Sequence, residues 1–351
     1  MARKVRVAAV QLNPDLDTPT GTVDRVITAI ADAAAQGAEL VVFPETVVPY
    51  YPYFSFVQPP MMSGGEHMRL YENAVVVPGP VTDAVSAAAR RHGIVVMLGV
   101  NERDHGSLYC TQLLWDADGT RVLHRRKTVP TFHERMIWGR GDGSGFTVVD
   151  TAVGRVGALA CWENFNPLNR YALQAQHEEI HLAHFPGSLV GQLFADQVET
   201  LIRHQAAEGA SFVVCATAWL TEEQIATVSP DEGLRRGLRG GCMTAIISPE
   251  GQHIVPPITE GEGILVADLD MSLITKRKRM FDSVGHYSRP ELVSLLLNDT
   301  PTSPVHRAYP TPKNSAYEVE PLGTDDPSLS APSAPSAPEY NGNGSKHTAN
   351  A

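Results

Sequence analysis

Cys161 closes the apolar run Arg155-Val156-Gly157-Ala158-Leu159-Ala160 and is followed at once by Trp162-Glu163-Asn164 and then Pro167. A buried strand that ends on a thiol and then turns sharply holds a nucleophile rigid and presents it at the strand end. A thiol with a pKa of about 8.5 needs a base or a cation beside it before it can attack. Two upstream residues stand in comparable strand-end positions. Glu45 follows Leu40-Val41-Val42-Phe43-Pro44, where partial loss of solvent raises a carboxyl pKa and suits it to general-base work. Lys127 follows the strand-like residues 122–126. Side chains alternate along a strand, so Arg126 and Lys127 point opposite ways and one must face inward. A buried lysine there would stabilise an anionic intermediate. Thiol, carboxylate and ammonium together point to a cysteine hydrolase.

Each group also has a plainer reading. A cysteine in an apolar strand is usually a small hydrophobe, and that suits Cys110, Cys215 and Cys242. Cys161 differs because it borders a polar and aromatic stretch. Glu45 could be a helix cap or a surface carboxylate. Arg125-Arg126-Lys127 could be a solvated basic face. The region 46–56 holds Tyr50, Tyr51, Tyr53, Phe54 and Phe56, a density of rings suited to lining a substrate pocket.

The elements that must position these groups alternate along the chain. Residues 5–10, 39–43 and 94–100 read as strands. Residues 22–36 and 81–92 read as helices closed by Gly37 and Gly93. Strands at 111–116 and 121–126 flank Ala117-Asp118-Gly119, a hairpin signal. Strands are also expected at 146–149 and 155–161, on either side of a turn at Gly154. Then helix and strand alternate at 168–177, 181–185, 195–208 and 212–217, and strands at 243–248 and 264–268 close the core. Crossovers mixed with hairpins imply an α/β protein with mixed sheets. Several strands are apolar on both faces, so sheets should pack on each other as well as on helices.

The chain has 351 residues, 43% of them hydrophobic and 19% charged, with a net charge of −11. The acidic balance argues against nucleic acid and anionic membranes, both of which need a basic face. No run approaches the ~20 apolar residues of a membrane span. Gln11, Asn13 and Pro14 break the N-terminal apolar run too early for a signal peptide, so a cytoplasmic location is expected. The cysteines are far apart and form no C-x-x-C pair, so free thiols are the simplest reading. Residues 1–297 are read as one domain. Residues 298–351, with Ser-Ala-Pro repeats at 330–338, are read as a largely disordered extension.

Three motifs are read as decoys. His177-Glu178-Glu179-Ile180-His181 matches a zinc-protease pattern, which needs both histidines on one helix face. A helix ending near His177 and a strand over 180–185 remove that face. The glycine-rich run 139–145 precedes a strand rather than a helix N-terminus, so it is no phosphate loop. Lys276-Arg277-Lys278-Arg279 reads as a solvated helix face or a subunit contact.

Glu45, Lys127 and Cys161, in that order, resemble the nitrilase branch of the carbon–nitrogen hydrolase superfamily. The matching stretches are Val41-Val42-Phe43-Pro44-Glu45, Arg125-Arg126-Lys127-Thr128-Val129-Pro130-Thr131, His133-Glu134-Arg135, Trp138-Gly139, Gly141-Asp142-Gly143, and Cys161-Trp162-Glu163 with Phe165, Pro167 and Leu168. Gly106-Ser107-Leu108-Tyr109 and Val284-Gly285-His286-Tyr287-Ser288-Arg289-Pro290 match as well. Tyr50-Tyr51-Pro52-Tyr53-Phe54-Ser55-Phe56 is similar to the cyanobacterial-type aliphatic nitrilases. The resemblance implies an α-β-β-α sandwich that dimerises into a four-layer core and assembles into larger homo-oligomers or filaments. It implies no metal and no organic cofactor. It makes Glu45 the general base, Lys127 the electrostatic stabiliser and proton donor, and Cys161 the nucleophile, with Glu134 a second glutamate that positions substrate. Substrate contacts are expected from Tyr51, Tyr53, Trp162 and Asn164. Many relatives carry histidine where this chain has Asn164, which can hydrogen-bond but carries no proton at neutral pH. The implied activity is hydrolysis of an organic nitrile to the acid and ammonia. An amidase of the same superfamily and a catalytically silent scaffold are the alternatives.

Overall fold

The computed structural model describes residues 3–18, 20–303 and 305. Eleven strands are described: β1 (Lys4–Gln11), β2 (Leu40–Val42), β3 (Val95–Asp104), β4 (Ser107–Trp115), β5 (Arg121–Arg126), β6 (Val149–Thr151), β7 (Gly154–Ala160), β8 (Ile180–Phe185), β9 (Phe212–Thr217), β10 (Ala245–Ile247) and β11 (Gly263–Asp270). They form a six-stranded sheet in the order β11-β1-β2-β3-β4-β5 and a five-stranded sheet in the order β10-β9-β8-β7-β6. Both sheets are mixed. β1, β2 and β3 run parallel, as do β7, β8 and β9, while the hairpin partners run antiparallel.

The two-residue period of these strands builds the layers. Val7, Ala9, Val42, Val95 and Met97 from the first sheet meet Val156, Ala158, Leu182, Val214 and Ile246 from the second. Their neighbours in sequence point the other way. Ala8, Val10, Val41 and Val96 pack on Val26 and Ile30 of helix Gly21–Ala35 and on Val85 and Ala89 of helix Pro80–His92. Ala183, Val213 and Cys215 pack on Val198, Ile202 and Ala206 of helix Gln192–Gly209. The result is the α-β-β-α sandwich, and the strand ends that carry Glu45, Lys127 and Cys161 meet at one edge of it.

Three stretches differ from the sequence reading. Of residues 146–149 only Val149 enters a strand. Gly143–Gly145 forms a 3-10 turn before it, and the Phe146 ring lies 5.6 Å from the buried Arg125 guanidinium and packs with Val148, Leu159 and Leu173. Helices Gly64–Asn73 and Glu222–Val228 occupy segments to which the sequence reading assigns no element; each buries one residue, Leu70 and Ile225 respectively. The chain divides into Met1–Thr302, which holds both sheets, and Ser303–Ala351. The expected disordered extension lies, from residue 306 on, outside the described residues. No described helix is long and apolar enough to cross a membrane.

Candidate active site

Strand β7 is buried from Val156 to Ala160, and Cys161 then takes φ +48°. That left-handed backbone costs a non-glycine residue about 1 kcal/mol or more, and it turns the chain into the 3-10 segment Cys161–Phe165. The turn is clamped by Glu163. Its Oε2 accepts from the Ala160 N–H at 3.0 Å, and its Oε1 accepts from the Thr128 N–H and hydroxyl at 2.8 and 2.7 Å. The Arg125 guanidinium binds the same carboxylate bidentately, at 2.8 and 3.0 Å. One carboxylate therefore ties the strand end bearing Cys161 to the strand end bearing Lys127. Burial opposes ionisation of Glu163, but the Arg125 charge and these donors win and hold its pKa down to about 2.

Glu45 is completely buried. Gly99 on β3 lets it lie there, because a Cβ at that position would stand 2.4 Å from the Pro44 carbonyl and 2.5 Å from the Thr46 nitrogen. Lys127 Nζ donates to Glu45 Oε1 at 2.8 Å and to Glu134 Oε2 at 2.7 Å. Glu134 sits in the 3-10 segment Phe132–Met136 and also accepts from the Tyr51 hydroxyl, at 2.8 Å, and from the Thr131 N–H, at 2.6 Å. Cys110 on β4 completes the cluster, its thiol 3.3 Å from Glu45 Oε1. Glu45 Oε2 has no hydrogen-bond partner among the described residues.

Burial raises the Glu45 pKa to about 7; the Glu134 charge adds to this, and Lys127 and the Cys110 thiol only partly oppose it. Burial would strip Lys127 of its proton, yet the Glu134 and Glu45 carboxylates hold its pKa well above the usual lysine value. Burial likewise pushes the Cys161 thiol well up, with the two carboxylates adding to the effect. At rest the thiol is therefore protonated and needs a base. Glu45, Glu134 and Cys161 each place a ligand-type atom within 4.8 Å of the others. An ion could use such a set, but the Lys127 ammonium, bonded to both carboxylates, already supplies the positive charge there.

The sequence model of the carbon-nitrogen hydrolase family matches residues 6–279. A protein named nitrilase from Paraburkholderia phymatum is 66% identical over 303 residues, covering 86% of this chain and 89% of its own. The chain belongs to the carbon-nitrogen hydrolase family. Within it the chain falls on the nitrilase branch. A protein named nitrilase 3 from an unknown prokaryotic organism is 51% identical over 90% of this chain and 96% of its own. The fold matches the crystal structure of a carbon-nitrogen hydrolase from Helicobacter pylori, with a TM-score of 0.67 at 19% identity over 82% of this chain and 97% of that one.

In this hydrolase the residues expected to touch substrate separate into two groups. Tyr51 and Tyr53 line a cavity of about 50 Å³ together with Tyr50, Phe54 and Arg69. Their hydroxyls are engaged, Tyr51 with Glu134 and His133, and Tyr53 with the Pro186 carbonyl. Trp162 packs instead on Phe165 and Phe194. Asn164 is fully buried, and its amide is already engaged at both ends. Its Nδ2 donates to the Cys161 and Leu159 carbonyls at 2.9 and 3.2 Å, and its Oδ1 meets His181 Nε2 at 2.8 Å. Asn164 therefore braces the Cys161 turn, and no polar atom of its side chain is left for substrate.

The decoys resolve into structural parts. His177 is exposed in a turn after helix Pro167–Gln174, while His181 is buried on β8, bonded to Glu178 and Asn164. In the glycine-rich run, Gly141 donates its N–H to the Lys127 carbonyl at 2.8 Å. The basic triplet is no solvated face, since Arg125 and Lys127 are both buried. Two-residue alternation carries the signal for Arg125: if Lys127 faces inward, so does the residue two before it. Cys110 left no comparable signal, since its neighbours read as ordinary strand.

Proposed function

We propose that this enzyme hydrolyses an organic nitrile to the carboxylic acid and ammonia, with Cys161 as nucleophile, Glu45 as general base and Lys127 as the cation at the reacting nitrogen. One observation carries the reading. Glu45 is buried beside a protonated thiol, with one oxygen held by Lys127 and the other unbonded. The kinship with a protein named nitrilase supports the choice of a nitrile as substrate.

Glu45 Oε2 takes the Cys161 proton as sulfur attacks the nitrile carbon. A C–S bond forms, one C–N π bond breaks, and Glu45 passes the proton through the Lys127 ammonium to the nitrogen, leaving a thioimidate and an ionised Glu45. Water, giving a proton to Glu45, adds to the thioimidate carbon. Glu45 hands that proton on to the nitrogen, the added hydroxyl gives up its own as the C–N bond breaks, ammonia leaves, and a thioester remains. A second water, activated in the same way, releases the acid and restores the thiol. Covalent attachment divides one slow hydration into easier steps. Glu134 holds Lys127 from its far side and receives the Tyr51 hydroxyl, which fixes both groups at the substrate wall.

The same reading takes residues 1–297 as the catalytic domain with 298–351 as an extension, a cytoplasmic location, and a homodimer that builds larger assemblies. Tyr287, Leu292, Val293 and Leu296 are exposed and apolar, which supports self-association through 270–297; light scattering of the purified chain checks it. The activity is tested with a nitrile and its matching amide, measuring ammonia from each. Ammonia from the nitrile, lost in Cys161→Ala, is the expected result. Ammonia from the amide with none from the nitrile would overturn the assignment in favour of an amidase.

A further inference from the structure

We infer that Cys110 is a positioning residue for Glu45: its thiol and the Lys127 ammonium together occupy Oε1, and so leave Oε2 as the atom that accepts the nucleophile's proton. The inference rests on the general-base reading of Glu45 above. Cys110 is buried on β4, and its Sγ lies 3.3 Å from Glu45 Oε1, the oxygen that Lys127 Nζ reaches at 2.8 Å. The same residue's carbonyl accepts the Lys127 N–H at 2.8 Å. Cys110 thus touches the base through its side chain and fixes the backbone of the cation through its main chain. A side-chain substitution removes the first contact and keeps the second.

The thiol must be protonated to donate. Burial pushes its pKa well above the usual value, and the Glu45 charge adds to this. As a donor to the ionised carboxylate, the thiol stabilises the form of Glu45 that can act as a base. The titratable groups facing Glu45 are Lys127 from the end of β5, Glu134 from the 3-10 segment, Cys161 from the end of β7, Cys110 from β4, and the Tyr51 and Tyr53 phenols from the segment after β2. Among these, Lys127 and Cys110 are the two that donate to the carboxylate, and Cys110 is the neutral one. Its loss leaves the charge balance of the site unchanged.

The test compares the full chain with Cys110→Ala and Cys110→Ser, following kcat/KM for a nitrile from pH 5.5 to 9. Loss of one donor to a carboxylate moves its titration up by about half to one pH unit. Cys110→Ala is expected to lose about three- to ten-fold in kcat/KM at pH 6 and to approach the parent at pH 9. Cys110→Ser keeps an O–H donor and returns the acid limb toward the parent position. A parallel readout needs no substrate: the pH dependence of Cys161 alkylation by iodoacetamide, located by mass spectrometry, shifts in the same direction in Cys110→Ala. An acid limb unmoved in Cys110→Ala, or moved equally in both variants, overturns the inference. A parent that hydrolyses no nitrile overturns the proposed activity instead, while the alkylation profile still decides the role of Cys110.

Discussion

Replacing Glu163 by glutamine changes one heavy atom and strikes the clamp that joins the strand ends bearing Cys161 and Lys127. Each carboxylate oxygen of Glu163 faces only donors: Arg125 Nη1 and the Ala160 N–H on one side, Arg125 Nη2 and the Thr128 N–H and hydroxyl on the other. Whichever way the glutamine amide turns, its NH2 meets donors. Both partners of the ion pair are nearly without solvent contact, so the Arg125 charge stays buried and unpaired. Breaking such a pair costs about 3–5 kcal/mol, which for a domain of this size is roughly 10 °C in Tm. The pH dependence gives an independent measure. Glu163 titrates at about 2 in the fold against an ordinary 4.5. A depressed carboxyl pKa contributes stability above the unfolded value, and that stability is lost as pH falls through the folded one. That depression is equivalent to about 3–4 kcal/mol. Urea unfolding of parent and Glu163→Gln at a series of pH values is the assay. The gap between them should be widest above about pH 4.5 and narrow toward pH 2. The turn should loosen as well, costing about a hundred-fold in kcat for a misplacement near 1 Å. A variant that melts within 2 °C of the parent (roughly 1 kcal/mol or less), or a gap that stays constant down to pH 3, refutes the clamp.

Activity of the parent should fall as pH drops through about 7, because the proposed mechanism needs Glu45 ionised and its raised pKa leaves it protonated below that pH; kcat/KM flat between pH 5.5 and 8 contradicts this. Gly99→Ala places a Cβ 2.4 Å from the Pro44 carbonyl. It should cost about a hundred-fold in kcat by shifting Glu45, and unchanged kinetics would count against the packing argument. Asn164→Ala strands His181 Nε2 and the Cys161 carbonyl in the core. A loss of about 1–3 kcal/mol by denaturant titration, with kcat reduced and KM little changed, is expected. A raised KM at unchanged kcat would return Asn164 to a substrate-binding role.

Much of the architecture is legible in the sequence because secondary structure is a short-range property. The bounds read for the strands at 121–126 and 212–217 coincide with β5 and β9, since alternation and turn residues lie within a few positions of each other. The strand expected at 146–149 is the instructive exception. Its local pattern is sound, but Phe146 is held instead against Arg125, a partner that local patterning cannot reveal.

The sequence by itself determined the residue types at the strand ends, a thiol at Cys161, a carboxylate at Glu45 and an ammonium at Lys127, because strand termini are set by neighbouring residues. Only the tertiary structure decided which groups meet. Lys127 and Glu45 are separated by 82 positions, yet their side chains stand 2.8 Å apart. Cys110 read as a plain core cysteine, and the fold brings it to Glu45. Asn164 reads as a substrate contact, and the fold adds bonds from its amide to the Cys161 carbonyl and to His181 that its position in the chain does not reveal. Charge, burial and hydrogen bonding act through distance, and in a two-sheet sandwich distance is set by which strand ends share an edge. The chemistry that a residue type permits is written locally, while the pKa, the partner and the free oxygen that make it usable arise only when the sheets pack.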